Sequence, residues 1–163
     1  MKQLEKTIES KVKIRFPDCD PFNHLNNSKY IDYIINARED HLLEFYDFDI
    51  YKLVQEKGIS WVVGQNQIAY LNPAILMETV IIQTQLIFFN EKTLLLEAFM
   101  WNADKTVLKA VLWSKLIHIN LMTKKSEINS EELMTFFKQV ENPLNEPISF
   151  EKRVENLRFS NVN

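Results

Sequence analysis

The chain has 163 residues, 46% of them hydrophobic, which is enough for one packed domain and too few for two ordinary ones. Charged residues make up 25%, lie interspersed and sum to −3, excluding the clustered basic face of a nucleic-acid binder and the polybasic patch of a membrane-surface protein. Two glycines exclude glycine-rich phosphate loops, which need several at close spacing.

Residues 1–10 lack the apolar core of a signal peptide, and no stretch approaches the roughly 18 apolar residues of a membrane span. A single cysteine allows no internal disulfide. The expectation is a soluble cytoplasmic protein.

Residues 11–16 set Val12, Ile14 and Phe16 against Lys11, Lys13 and Arg15, the period of a half-buried strand with a basic wet face. Pro17 ends it by removing a ladder donor and holding the preceding residue extended. From Ser28 the period becomes helical. Tyr30, Ile34, Ala37, His41 and Phe45 recur at three- and four-residue spacing, widened by Ile31, Ile35 and Leu42. Asn26, Asn27 and Ser28 are each competent N-caps, and Asp32 falls near the first turn, where the helix dipole favours it. A short helix is expected within 47–58, closing at Gly58.

Strand signals then dominate over 59–71, broken by Asn72-Pro73, and over 80–89, 93–101 and 106–121, joined by polar links of hairpin length. Residues 131–140 read as a helix capped by Ser130. Residues 142–147, with two prolines, read as a linker to a last helix opened by Ser149 and marked by Phe150, Val154 and Leu157. The order predicts an α+β fold, an antiparallel sheet on one long helix. Residues 1–141 form the expected domain and 142–163 a C-terminal extension.

Chemistry concentrates in residues 17–28, which hold two Asp, one His, three Asn and two Pro just ahead of the apolar helix. Asp20 is the foremost candidate, held extended by Pro21 and two residues from a second carboxylate, Asp18. A carboxylate there can serve as general base or nucleophile, although spacing alone favours an Asx turn cap. The N–H at Asn27, at a helix start, offers an oxyanion site or a plain cap. His24 either orients Asp20, touches a ligand or bonds only the backbone. Cys19, between two carboxylates that disfavour its thiolate, is not expected to be the nucleophile. His41 reads as a packing residue, and His118 has no partner at metal-ligand spacing.

Residues 15–38 resemble the hotdog-fold thioesterases, specifically the 4-hydroxybenzoyl-CoA thioesterase-like group of acyl-CoA thioesterases. Arg15, Phe16, Asp18, Asp20, His24, Leu25, Asn26, Asn27, Tyr30, Ala37 and Arg38 stand at the positions of that group's motif. Residues 68–74 are similar to its Tyr-x-x-Pro-Ala step, and Glu78 stands where many members have Asp. Two positions depart from the pattern. Asn23 replaces the glycine before the His, a change that keeps the loop shape because Asn tolerates positive φ. Phe22 occupies the place of the catalytic Asn of plant-type acyl-ACP thioesterases, whose acidic partner would fall near Pro73, so the bacterial acyl-CoA type is the nearer kin.

The resemblance implies a sheet wrapped around a long central helix and hydrolysis of an acyl-CoA or acyl carrier protein thioester, with no cofactor. It makes Asp20 the catalytic carboxylate, with Asn27 and His24 completing the machinery. Asp18, Phe22, Asn26 and Tyr30 become substrate contacts, although Tyr30 and Arg38, on the long helix, read on their own as packing and helix-anchoring residues. It also implies a homodimer or homotetramer with the site at the subunit boundary. Two rivals share the fold: an acyl-thioester hydratase or dehydratase, which Asp20-Pro21 superficially echoes, and a non-catalytic acyl-binding module. Lys92, Lys105, Lys109 and Lys124 are the basic residues available for nucleotide-phosphate contact, but they are scattered among turns and strands and each reads more readily as plain surface.

Overall fold

The computed structural model describes residues 3–160. The sheet runs in the order β1-β3-β4-β5-β2, every pair antiparallel, with a short β6 added to the end of β5. Its strands are β1 (Thr7–Lys13), β2 (Ile59–Tyr70), β3 (Thr79–Phe89), β4 (Thr93–Asn102), β5 (Leu108–Asn120) and β6 (Lys125–Ser126). The helices are α1 (Tyr30–Tyr46), α2 (Ile50–Lys57), α3 (Glu131–Val140) and α4 (Phe150–Ser160). The sheet curls around α1 in the hotdog arrangement.

The inner face packs Val80, Ile82, Ala98, Met100 and Leu112 against Tyr30, Ile34 and Ala37 of α1. The outer face is also covered: Ile87, Phe99, Val111 and Trp113 meet Phe150 and Val154 of α4. Burial on both faces explains why β4 and β5 read as continuous apolar runs with little alternation.

The helix signals act as their chemistry requires. Ser130 accepts from the N–H of Leu133, and Gly58 closes α2 at φ 62°, a left-handed conformation open to glycine at little strain. Two expectations need correction. β1 starts at Thr7 and ends at Lys13, because a 3-10 turn over Phe16–Asp18, seeded by Pro17, takes the chain off the sheet. The inward alternation therefore stops at Ile14, and Phe16 is 74% exposed. Phe45 also lies outside the core, half-exposed in the last turn of α1 with its ring edge-on to His41.

Edge strand β2 exposes Val62 and Val63 beside a bulge at Gly64, between Val63 and Gln65 in the ladder.

Candidate active site

Asp20 opens a tight turn. Its N–H donates to the carbonyl of His24 (2.8 Å), and its carbonyl accepts from Asn23 N–H (3.0 Å). Asn23 sits at φ 60°, the left-handed conformation that Asn tolerates. One carboxylate oxygen of Asp20, Oδ1, accepts from the N–H groups of Phe22 (2.9 Å) and His24 (3.1 Å). Oδ2 makes no hydrogen bond among the described residues. The turn-capping role thus occupies one oxygen of the carboxylate and leaves the other without a partner among the described residues.

Asp18 faces another way, its Oδ2 accepting from the Tyr33 hydroxyl at 2.7 Å. The Tyr33 hydroxyl in turn accepts from the Arg15 N–H at 3.1 Å. Cys19 lies between the two carboxylates. Burial, reinforced by Asp18 and Asp20, pushes its thiol up, so the thiolate is disfavoured at neutral pH.

The helix start is built in two steps. Asn26 is extended (φ −61°, ψ 135°) and caps a 3-10 helix, Asn27–Lys29, by accepting from Ser28 N–H at 2.9 Å. That helix runs directly into α1. The cap is therefore Asn26, and the side chain of Asn27 is exposed. Asn27's carbonyl accepts from the Tyr70 hydroxyl at 3.0 Å, while its N–H has no partner among the described residues. Phe22 is 79% exposed at the loop tip, its ring 6.5 Å from the His24 ring. It is His24's backbone, rather than its imidazole, that bonds Asp20. Tyr30 is buried at 2% exposure, its hydroxyl accepting from Ala74 N–H, which makes it packing beneath the loop.

The second sequence motif physically holds the first. Leu25 N–H donates to Ala74 O and Leu76 N–H to Asn23 O, zipping the loop onto residues 74–76. That segment is anchored by Lys109, whose Nζ donates to Pro73 O (2.9 Å) and pairs with Glu78 (3.1 Å). Glu78 also accepts from Ile75 N–H at 2.8 Å. Lys109 is therefore a buried strut, neither the phosphate contact nor the plain surface lysine that its sequence position allowed; Lys105 is engaged by Glu9 at 2.7 Å. Sequence reasoning missed Tyr33, Tyr70 and Lys109 as supports, since their partners lie 15, 43 and 36 residues away and leave no local period.

One turn into α1 a cavity of about 330 Å³ opens between the helices and the inner sheet face. Ile34, Leu42, Leu86, Leu96, Leu112 and Val140 line it, with Arg38 among them. On the outside of β1 a shallower groove of about 450 Å³ gathers Lys11, Lys13, Arg15 and Lys29 beside Asp18 and Asp32.

The family profile of the thioesterase-like superfamily matches residues 14–142. The chain is 26% identical over 133 residues to the long-chain acyl-CoA thioesterase FadM of Escherichia coli (strain K12), covering 82% of this chain and 98% of that protein. The crystal structure of YbaW, a probable thioesterase from Escherichia coli, superimposes with a TM-score of 0.71 at 25% identity, over 82% of this chain and 98% of that one. The Staphylococcus aureus protein SAV2348, solved in complex with CoA, shares the fold with a TM-score of 0.74 at 12% identity, over 90% and 93%. The family match runs from Ile14 at the end of β1 through the 17–28 loop, α1 and strands β2 to β6 to the end of α3, and on that ground the chain belongs to the thioesterase-like superfamily, as a thioesterase of the hotdog fold.

Proposed function

We propose that this protein hydrolyses acyl-CoA thioesters to a free acid and CoA thiol, with Asp20 as the catalytic carboxylate. The observation that carries the reading is the division of labour within Asp20. Oδ1 is fixed by two backbone N–H groups, which aims the side chain, and Oδ2 is left free for chemistry. Through that oxygen Asp20 takes a proton from water or attacks the carbonyl itself. The unpartnered Asn27 N–H, at the positive end of the 3-10 helix and α1, is the oxyanion donor; such preorganised donors stabilise the transition state by a few kcal/mol. His24, Phe22 and Asn26 border the thioester, and Asp18 with Tyr33 holds the loop's base.

The cavity beyond Ile34 suits an acyl chain. The cations of Lys11, Lys13 and Arg15 in the groove between β1 and α1 suit the phosphates of a nucleotide carrier, whereas Lys29 there is paired with Asp32 at 3.6 Å. The open edge of β2 suits pairing with a second copy, so a homodimer of cytoplasmic protein completes the reading. No helix among the described residues is long and apolar enough to cross a membrane.

The purified protein, given acyl-CoAs from acetyl to palmitoyl with a thiol reagent, should release thiol. A hydratase or a silent binding module releases none, and absence of thiol across that panel, and across the matching acyl carrier protein thioesters, would overturn the proposal.

A further inference from the structure

The cavity beside α1 contains a cation that the fold does not neutralise. Arg38 Nε is buried and has no hydrogen-bond partner among the described residues. One terminal nitrogen donates to Thr84 Oγ1 at 3.2 Å, and no carboxylate lies within ion-pair distance of the group among the described residues. Glu39 also lines the cavity, but its carboxylate is engaged by the Tyr51 hydroxyl at 3.0 Å. Burial lowers Arg38 to about 10, with the Tyr46 hydroxyl working the other way, so it stays charged at neutral pH. Its field helps to keep neighbouring His41 neutral. Ser114, on the same inner face, is buried and its hydroxyl takes no part in a hydrogen bond among the described residues. An unpaired guanidinium on an apolar wall is costly, and nothing on α1 requires a cation there for packing.

We infer that Arg38 selects acyl chains bearing a hydrogen-bond-accepting oxygen (a hydroxyl, a keto group or a terminal carboxylate), received in the cavity together with Ser114; the Thr84 hydroxyl is already taken by Arg38 and by His41 Nδ1 at 2.8 Å. The inference rests on the thioesterase reading for the nature of the ligand. From Tyr30 to Arg38 is roughly 12 Å along α1, at about 1.5 Å per residue. The oxygen therefore belongs to the middle or far end of a medium-length chain, well away from the thioester.

The test compares dodecanoyl-CoA with its mid-chain hydroxy, mid-chain oxo and terminal-carboxy counterparts. kcat/KM is measured on the parent, and equilibrium binding by calorimetry on the Asp20→Asn variant, whose lowered turnover slows consumption of the ligand during the titration. A charge-assisted hydrogen bond predicts about a 10- to 100-fold preference for at least one oxygenated chain, and the three arms tell which oxygen it is. Arg38→Met should abolish the preference in both readouts while still accepting the plain chain. Where that variant fails to fold by circular dichroism, Arg38→Lys replaces the planar fork by a point charge and should cut the preference several-fold. Equal or better use of the plain chain by the parent, or a preference that survives in a folded Arg38 variant, overturns the inference. Preferential binding without any hydrolysis would uphold it and overturn the thioesterase reading instead.

Discussion

The two faces of the sheet treat a charged side chain in opposite ways. On the outer face Glu97 is fully buried (0% exposed), and its oxygens accept from Arg153 twice, from Trp113 Nε1 and from Gln85 Nε2, all at 2.8 Å. Each partner is a donor of this chain, and α4 brings the decisive one. On the inner face Arg38 meets hydroxyls and hydrocarbon and forms no ion pair among the described residues. One face is closed by the protein itself; the other keeps a cavity and an unspent donor. A structural charge is satisfied within the fold, whereas a charge kept for a ligand is left short of a partner.

The comparison breaks most visibly on the inner side. Asp20→Asn should lower thioesterase turnover by about 10²–10⁴-fold, the scale for losing a general base, with the circular dichroism spectrum unchanged because Asn keeps the turn. Retention of the parent rate would remove Asp20 from the chemistry.

On the outer side, Arg153→Met strands the Glu97 carboxylate and should cost about 3–5 kcal/mol in urea unfolding, toward the lower end because the Arg153 side chain is 22% exposed. Turnover per folded molecule should not change. Arg38→Met, which strands no carboxylate, should cost less than about 1.5 kcal/mol. Equal losses from the two arginines would show that the inner cation is structural too.

Asn27→Pro removes the proposed oxyanion N–H and should reduce turnover by about 10²–10³-fold. The extended backbone of Asn26 accepts a following proline, so the helix start should persist. Asn27→Ala leaves both the N–H and the Asn26 cap in place, and its rate and stability should stay near the parent values. An inactive Ala variant beside an active Pro variant would move the donor elsewhere.

His41 gives the pH dependence of the inner face. Burial first, then the Arg38 charge, depresses its pKa to about 4, against the opposing pull of Asp40. The unfolded imidazole titrates near 6.5, so between those values the unfolded chain binds the extra proton. The stabilisation is complete above about pH 6.5 and is lost as pH falls through 4, by about 3 kcal/mol in all. Urea titrations at pH 7, 5.5 and 4.5 should follow that slope in the parent, and His41→Gln should flatten it.

The smallest effect is expected at Cys19. With its thiol pushed up by burial and two carboxylates, Cys19→Ser should keep the rate within about threefold. Loss of activity there, with Asp20→Asn still active, would shift the mechanism to a cysteine nucleophile.

Local chemistry determined much of this molecule. Helical periodicity placed α1, turn residues placed the strand breaks, and Ser130 and Gly58 marked ends that depend on a single side chain or φ angle. The Asp20-Pro21 turn with Asn23 at positive φ was legible for the same reason: its hydrogen bonds run between residues at most four apart. Where partners lie far apart in sequence, only the tertiary structure decided. The sheet brings Lys109 to Pro73 and Glu78, α1 brings Tyr33 to Asp18, and α4 brings Arg153 across 56 residues to Glu97. Phe16 shows the same limit from the other side. Its alternation pointed inward, but a turn seeded by the next residue left it in water, because periodicity states which residues share a face and not where the face ends. Arg38 belongs to this second class as well: sequence places it on α1, and its lack of an ion-pair partner among the described residues is a property of the helices and strands that close the cavity.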